Sequence, residues 1–179
     1  MARLTQLVLP HMRKNKYGKI VNISSIGGKI HEPFGSWYHA TKFAVEGLGD
    51  CLRLEVKDFG IDVIVIEPGG VKTEWGGIMG EKLLKTSGNT VYGDLFGGYI
   101  KRFGKVGVQL EAMGAEPDLI ARIIEKSVKA KKPKPRYAAG LGAKPFLFLR
   151  KILSDRMYDR FWIFMLKSVS GRMGKAGNR

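Results

Sequence analysis

Residues 19–66 open with Lys19-Ile-Val-Asn-Ile-Ser24 and close with Ile61-Asp-Val-Ile-Val-Ile66, two short apolar runs rich in β-branched residues. Residues that favour a loop follow each run, Gly27-Gly28 after the first and Pro68-Gly69-Gly70 after the second. Runs of this kind are typical of strands buried in a sheet. The segment between them has helical spacing, so we predict a strand, a helix and a second strand. Such a unit places the two strands parallel, with a right-handed crossover.

Helical patterns also occur outside this unit. We predict the central helix over 37–59, with Gly60 as its C-cap, and a preceding helix that ends near Lys14. Pro117 begins a further helical pattern, and Arg136-Tyr-Ala-Ala-Gly140 predicts a short last strand. The apolar residues predicted to face inward from the central helix are Ala44, Val45, Leu48, Leu52 and Val56. The order of elements predicts an α/β protein.

Length and composition predict one folded domain. The chain has 179 residues, of which 44% are hydrophobic and 26% charged, and this composition excludes a disordered or collagen-like chain. Its single cysteine, Cys51, excludes an internal disulfide and favours a reducing compartment such as the cytoplasm. No apolar stretch reaches the length of a membrane span, and we interpret residues 1–10 as helix rather than as a signal peptide.

Positive charge is concentrated in the last third of the chain. The net charge is +15, and residues 121–179 contain 16 basic and 3 acidic residues. Apolar residues alternate with basic ones in 144–167, which predicts a basic amphipathic extension over 141–179. Such a segment can bind an anionic membrane surface or an acidic partner, and the simplest interpretation is a solvated face. No nucleic-acid-binding motif accompanies the charge, so we do not expect a nucleic acid as partner.

Three side chains form the predicted catalytic group. Tyr38 and Lys42 are four residues apart at the start of the central helix, so the phenol and the ammonium emerge on one face. We expect the cation to lower the pKa of the tyrosine, which makes Tyr38 a candidate general acid or base. Ser25 follows the carboxyl end of the first strand, where open α/β sheets bind ligands, and its hydroxyl is placed to hold a substrate carbonyl.

Three stretches with specific spacing carry a family resemblance. They are the run Gly18-Lys-Ile-Val-Asn-Ile-Ser-Ser-Ile-Gly-Gly28, the thirteen-residue step from Ser25 to Tyr38, and Ile66-Glu-Pro-Gly-Gly-Val-Lys-Thr73. Together they resemble the short-chain dehydrogenase/reductase family over residues 1 to about 140. The tail, with Pro135-Arg-Tyr137, more loosely resembles the branch that includes hydroxysteroid and retinol dehydrogenase-like enzymes.

The resemblance implies a role for each site residue. Ser25 would orient the substrate, Tyr38 would act as the acid or base, and Lys42 would lower the pKa of that tyrosine and hold the nicotinamide ribose. Residues 68–73 match the family's P-G-x-V-x-T turn, which packs near the nicotinamide. The implied cofactor is NAD or NADP, and the residues implied to bind it are Tyr38, Lys42, Pro68, Gly69, Val71 and Thr73.

The N-terminal half of the family has no counterpart in the sequence. Members begin with a strand, a glycine-rich turn and a helix that hold the pyrophosphate, and later carry an Asn-Asn-Ala-Gly strand and a catalytic asparagine. Only three strand candidates occur here, where a doubly wound sheet needs about six. We therefore expect the C-terminal part of a doubly wound, Rossmann-type parallel sheet with flanking helices, in a truncated chain whose N-terminal glycine-rich half is absent. Because that turn binds phosphate, we expect no turnover from the 179-residue chain alone.

The resemblance also divides the chain. Residues 1–140 would form a partial NAD(P)-binding domain, in which the glycine-rich segment 71–115 is a substrate lid, and 141–179 would be the basic extension. Apolar side chains in the lid suggest a lipophilic alcohol or carbonyl substrate. The apolar and aromatic residues concerned are Trp75, Met79, Tyr92, Leu95, Phe96, Tyr99 and Phe103.

Two functions remain open. The first is an NAD(P)-dependent oxidoreductase that interconverts a lipophilic secondary alcohol and a ketone by hydride transfer. The alternative is a non-catalytic chain that binds a membrane surface or a protein partner through its basic tail. The resemblance further implies a homo-oligomer paired through the helices at 2–14 and 38–58. No metal is predicted, because metal-ligand spacing is lacking among His11, His31, His39 and Cys51.

Overall fold

The computed structural model describes residues 1–93 and 113–170. In these residues, helices flank a single parallel sheet. Two short 3-10 turns, Ile26–Gly28 and Lys57–Phe59, follow β1 and α2 respectively. The main elements are α1 (Ala2–Lys14), β1 (Gly18–Ile23), α2 (Ser36–Glu55), β2 (Ile61–Pro68), α3 (Trp75–Ser87), α4 (Pro117–Lys129), β3 (Arg136–Ala139), α5 (Ala143–Ile152) and α6 (Asp155–Ser170).

The three strands pair in the order β1-β2-β3, and both pairings are parallel. Gly18 of β1 is in register with Ile61 of β2, and Val65 of β2 with Arg136 of β3. The central strand is the most buried part of the chain described, since Ile64, Val65 and Ile66 have no exposed surface. The predicted α/β class, the parallel pair and the short last strand are confirmed. Because β2 is covered on both faces, its sequence is a continuous apolar run.

Two apolar clusters hold the helices to the sheet. The first surrounds Ile20 of β1 and Val63 of β2, against which Leu52 of α2 packs. The second joins Ile30, in the loop after β1, to Tyr158 and Trp162 of α6. The second cluster shows that α5 and α6, here called the C-terminal helix pair, are not only a solvated basic face. One side of the pair packs against the loop that follows Ser25.

The end of α2 differs from the prediction. The helix stops at Glu55 rather than at Phe59, and the 3-10 turn Lys57–Phe59 follows it. Gly60 has a φ of 71°, the left-handed conformation that glycine adopts without strain, and it caps this turn instead of the helix.

The prediction of which α2 residues face inward is also wrong in part. Ala44 and Leu48 are exposed, whereas Glu46 and Gly49 are buried. Gly49 lies against the central strand, where a Cβ would be 2.9 Å from Cγ2 of Val65. Gly49 and Glu46 of α2 therefore face the sheet, and the spacing of apolar residues alone does not predict this.

The predicted lid is described only in part. Helix α3 occupies its first half, with Trp75 as the first helical residue. Leu95, Phe96, Tyr99 and Phe103 lie outside the described residues. The division of the chain at residue 140 stays a prediction. Within the described residues, no helix combines the length and apolar character needed to cross a membrane.

Candidate active site

Ser25 connects the carboxyl ends of β1 and β2. It is the N-cap of the 3-10 turn after β1, and its Oγ accepts a hydrogen bond from the backbone N–H of Gly27 at 3.0 Å. The same hydroxyl donates to the carbonyl oxygen of Pro68 at 3.3 Å. These two contacts fix the hydroxyl at the edge of the sheet where open α/β proteins bind their ligands.

Tyr38 and Lys42 lie on the first turns of α2, beside Ser25. The Tyr38 hydroxyl hydrogen-bonds to the Ser25 side chain. The Lys42 ammonium donates to the carbonyl oxygen of Ile23 at 3.2 Å and lies 5.8 Å from the centre of the Tyr38 ring. The structure thus brings together all three residues of the predicted catalytic group, and their roles stay a prediction.

The predicted lowering of the Tyr38 pKa is not found. Burial of the phenol raises its pKa, its hydrogen bond with the Ser25 side chain opposes that rise, and the Glu32 carboxylate adds to it. The Lys42 ammonium is directed at the Ile23 carbonyl rather than at the phenol oxygen, and burial lowers the pKa of Lys42 itself. Tyr38 is therefore protonated at neutral pH, the state in which a phenol donates a proton.

The P-G-x-V-x-T turn follows β2 at the same edge. The N–H of Gly69 donates to Ala139 O at 2.7 Å, and a Cβ on Gly69 would be 2.5 Å from Leu141 O. The glycine is therefore required by the close approach of the chain after β3. Thr73 Oγ1 accepts a weak hydrogen bond from Trp75 N at 3.4 Å. Cofactor binding by Pro68, Gly69, Val71 and Thr73 stays a prediction.

His39 is a positioning residue for the site that the sequence did not single out. Its ring is buried, Nδ1 lies 2.8 Å from Gly27 O, and Nε2 is 3.2 Å from the backbone N of Glu32. Because the Glu32 N–H can only donate, Nε2 is the acceptor of that bond and Nδ1 donates to Gly27 O. The sequence feature that could have indicated this role is that His39 directly follows Tyr38. The ring joins α2 to both ends of the loop that leaves Ser25.

Trp75 lies against the exposed side of the catalytic tyrosine candidate. The ring centres of Tyr38 and Trp75 are 5.1 Å apart, and the planes are tilted by 50°. The tryptophan is 47% exposed, so it forms an apolar wall that is still open to solvent. The predicted apolar character of the lid is thus present at Trp75, next to Tyr38.

A cluster of charges in which Glu46 and Glu67 are buried lies behind the site, and the sequence did not predict it. Arg136 of β3 contacts Glu46 Oε2 at 3.1 Å, Asp50 Oδ2 at 2.5 Å and Glu67 Oε1 at 3.2 Å. Lys29, from the loop after β1, lies 3.3 Å from Glu46 Oε2. These five residues are called the Arg136 cluster below. No local pattern connects them, because Arg136 is 90 residues from Glu46.

Burial raises the pKa of Glu67 in this cluster to about 6, and the neighbouring charge of Glu46 adds to the rise. Glu67 directly precedes Pro68, whose carbonyl accepts the Ser25 hydroxyl. The Arg136 cluster therefore supports the end of β2 on which Ser25 rests. Glu46 and Glu67 each expose only 3% of their surface, so the arginine is their main compensation.

The C-terminal helix pair forms a second support. His31 contacts Asp159 of α6 at 3.3 Å, and its ring lies edge-on to Tyr158 with centres 4.8 Å apart. Ile30 is buried against Tyr158 and Trp162. The loop between Ser25 and Tyr38 is thus held by α6 on one side and by His39 of α2 on the other.

The fold and the site together define the class: an open, parallel α/β protein of the Rossmann type, with serine, tyrosine and lysine at the carboxyl edge of its sheet. A family model described as short chain dehydrogenase matches residues 1–82. A solved short-chain dehydrogenase from Streptomyces avermitilis superimposes with a TM-score of 0.62 at 30% identity, covering 96% of this chain and 58% of its own. The chain belongs to the short-chain dehydrogenase/reductase family.

Two relatives are similar over most of the chain. The NADPH-dependent 3-dehydrocapnine reductase of Ornithobacterium rhinotracheale is 33% identical over 158 residues, which cover 86% of this chain and 52% of the relative. The 3-ketodihydrosphingosine reductase of Bacteroides thetaiotaomicron is 38% identical over 142 residues, with 78% and 50% covered. The chain therefore spans about half the length of these relatives.

Proposed function

We propose that the chain carries the catalytic edge of an NAD(P)-dependent oxidoreductase that interconverts a lipophilic secondary alcohol and a ketone. The observation that supports this most directly is the meeting of Ser25, Tyr38 and Lys42 at the ends of two neighbouring parallel strands. Both relatives are named as reductases, and one of them as NADPH-dependent.

The chain's residues fit the nicotinamide end of the cofactor. Within residues 1–93 and 113–170, the Lys42 ammonium donates to Ile23 O, and because an ammonium has three N–H groups, donors are left for a ribose. The Thr73 side chain is exposed beside the turn after β2. Lys42 and Thr73 would hold NAD or NADP from the two strands, and the bound reduced cofactor would supply the hydride.

Each of the three side chains, Ser25, Tyr38 and Lys42, would have a separate role in the reaction. To hold the carbonyl oxygen of the ketone, the Ser25 hydroxyl would turn its single proton from Pro68 O to that oxygen while it still accepts from the Gly27 N–H. Tyr38 would give its proton to that oxygen as it becomes an alkoxide, and its raised pKa keeps the phenol protonated until that transfer. The Lys42 ammonium nearby would stabilise the phenolate that remains.

The lipophilic substrate is supported by the walls of the site. Trp75 faces Tyr38, and Ile78, one turn further along α3, is 48% exposed. Both side chains leave apolar surface beside the proton donor, and such surface favours an apolar substrate chain.

An assay with the protein that contains this chain tests the proposal. We expect oxidation of NADH or NADPH that depends on added 2-undecanone, and we expect Ser25→Ala to lower kcat/KM by about 10²-fold. Ser154→Ala, at an exposed serine before α6, is the matched control and should change nothing. Absence of ketone-dependent oxidation with both cofactors would overturn the proposal.

A second candidate function, binding to an anionic membrane surface, is favoured by the outer side of the C-terminal helix pair. Apolar residues there are exposed next to exposed basic residues. The apolar residues are Phe148, Ile152, Met157, Ile163 and Phe164. The basic ones are Lys144, Lys151, Arg156 and Arg160. Co-sedimentation with phosphatidylcholine vesicles should require added phosphatidylserine and should be lost in Phe148→Glu. Equal recovery without phosphatidylserine would contradict this candidate.

Self-association through α1 and α2 is part of the proposal. Helix α1 has no buried residue, and Leu4, Leu7 and Val8 on one of its faces are exposed. Phe43 and Leu54 of α2 are exposed as well. Exposed apolar faces of this kind favour pairing with a second copy. Sedimentation velocity at micromolar concentration should show a dimer or larger species, and Leu7→Glu should dissociate it. A monomeric wild type would refute this interface.

The expected compartment is the cytoplasm. Cys51 is the sole cysteine of the chain, and it is exposed and unpaired. A free exposed thiol persists where glutathione and thioredoxin keep thiols reduced.

A further inference from the structure

The Tyr38 ring is in contact with two parts of the chain outside its own helix. In the loop after Ser25, Gly27 lies directly against the phenol, because a Cβ on that glycine would be 2.8 Å from Tyr38 Cε1. From the turn after β2, the Trp75 ring lies with its centre 5.1 Å from the centre of the Tyr38 ring. The phenol therefore touches bare backbone at Gly27 and a large side chain at Trp75.

The neighbours of Tyr38 on α2 are more distant, and their polar groups are bonded elsewhere. The His39 ring centre is 5.6 Å away, and the Lys42 ammonium lies 5.8 Å from the centre of the phenol ring. His39 Nδ1 is bonded to Gly27 O, and Lys42 donates to Ile23 O. Among the described residues, the indole is therefore the aromatic ring nearest to the phenol.

The backbone of Trp75 is held by the turn after β2. The N–H of Lys72 donates to Ala115 O at 3.0 Å, and the N–H of Ala115 donates to Gly70 O at 3.1 Å. The N–H of Trp75 itself donates to Thr73 Oγ1 at 3.4 Å. Because these bonds fix the turn from which α3 begins, the indole meets the phenol from a defined position.

The orientation and the burial of the phenol both matter for an acid. The Tyr38 hydroxyl hydrogen-bonds to the Ser25 side chain, and hydrogen bonds weaken steeply when the donor turns away from its acceptor. Burial keeps the hydroxyl protonated, because it disfavours the charged phenolate. A side chain that packs against the ring therefore influences both properties.

We propose that Trp75 is a positioning residue for the proton donor: its indole holds the Tyr38 ring in the orientation in which the hydroxyl meets Ser25, and it covers the phenol against water. This inference rests on the proposed function, in which Tyr38 is the acid. An apolar wall that only binds the substrate acts more strongly on a longer substrate chain. A contact that orients the acid affects the chemical step of every ketone alike.

Two ketones of different length, 2-butanone and 2-undecanone, separate these roles at pH 7 in the protein that contains this chain. We expect Trp75→Ala to lower kcat about tenfold for both ketones, and Trp75→Phe, which keeps an aromatic ring, to stay within threefold of wild type. The matched control is Trp37→Ala, the same substitution at a tryptophan that is 88% exposed, and it should leave both kcat values unchanged. A higher KM for 2-undecanone with unchanged kcat for both ketones would overturn the inference and leave the proposed function standing.

A second measurement needs no turnover. In protein labelled with ¹³C at tyrosine Cζ, the Tyr38 signal is the one missing from Tyr38→Phe, and its chemical shift follows the ionisation of the phenol. We expect this signal to titrate at a lower pH in Trp75→Ala than in wild type, because the phenol is then less buried, and to be unchanged in Trp37→Ala.

Equal titration of Tyr38 in wild type and Trp75→Ala would overturn the inference, whatever the kinetic result. If the wild type reduces neither ketone, the proposed function fails, and the titration alone decides whether Trp75 covers the phenol.

Discussion

Two acidic regions lie on either side of the catalytic edge, and they differ in their cations. In the Arg136 cluster, three carboxylates from α2 and β2 share Arg136, and Lys29 adds a second cation. In the loop after Ser25, Glu32 is partly buried, and no lysine or arginine of the described residues pairs with it. Burial raises the pKa of a carboxyl in both places.

The difference separates two uses of a buried charge. The Arg136 cluster joins α2, β2 and β3 by ion pairs between described residues, so its role is to hold the end of β2 under Ser25. The Glu32 loop is held in place by its backbone, and His39 lowers the pKa of the Glu32 carboxyl against the larger effect of burial.

Arg136→Met is expected to have the largest effect on stability. The substitution leaves Glu46 and Glu67 buried without their main cation, and breaking a buried pair in this way costs about 3–5 kcal/mol. Urea unfolding of the protein at pH 7 measures the loss. The matched control is Arg122→Met, which removes an exposed pair with Asp118 and should cost less than about 1 kcal/mol. Similar losses in the two variants would remove the distinction between the regions.

A smaller effect concerns pH and Glu67. Its pKa is about 6 in the folded protein against an ordinary 4.5, so between these values the folded state holds a proton that the unfolded state has released. Stability from this group is therefore complete below pH 4.5 and is lost as the pH rises to about 6, by about 2 kcal/mol. The free-energy difference between wild type and Glu67→Gln, measured by urea unfolding from pH 4.5 to 7, should fall accordingly. If the difference in unfolding free energy does not change between pH 4.5 and 7, the charges of Glu46 and Glu67 do not influence each other.

The smallest effect is expected for Glu32→Gln. Because no lysine or arginine of the described residues pairs with this carboxylate, the amide should leave the free energy of unfolding unchanged or raise it, by less than about 1 kcal/mol. The same unfolding experiment at pH 7 provides the value, with Arg136→Met as the comparison. A loss as large as that of Arg136→Met would mean that Glu32 belongs to the folding core.

Much of the scaffold could be predicted from local patterns. The β-branched runs before Ser25 and Pro68 predicted β1 and β2 and their parallel pairing, and helical spacing predicted most of α2. The inward face of α2 could not be predicted in full. Glu46 faces the sheet because it pairs with Arg136 there. The two residues are 90 positions apart, so no local sequence pattern indicates the contact.

The candidate site shows the same limit. The spacing of Ser25, Tyr38 and Lys42 predicted that these side chains would meet. It did not predict the direction of the pKa shift of Tyr38, because burial of the phenol and the charge of Glu32 depend on how the loop is folded. The loop conformation is set by the ring of His39 and by α6, and neither contact follows from residue types at fixed spacing.

The account depends most on Tyr38 as the proton donor at the catalytic edge. The most direct measurement compares ketone-dependent NAD(P)H oxidation by wild type and Tyr38→Phe, with the exposed Tyr17→Phe as control. We predict a loss of about 10²–10⁴-fold for Tyr38→Phe, with its free energy of unfolding unchanged and Tyr17→Phe fully active. A rate for Tyr38→Phe within threefold of wild type would contradict the account.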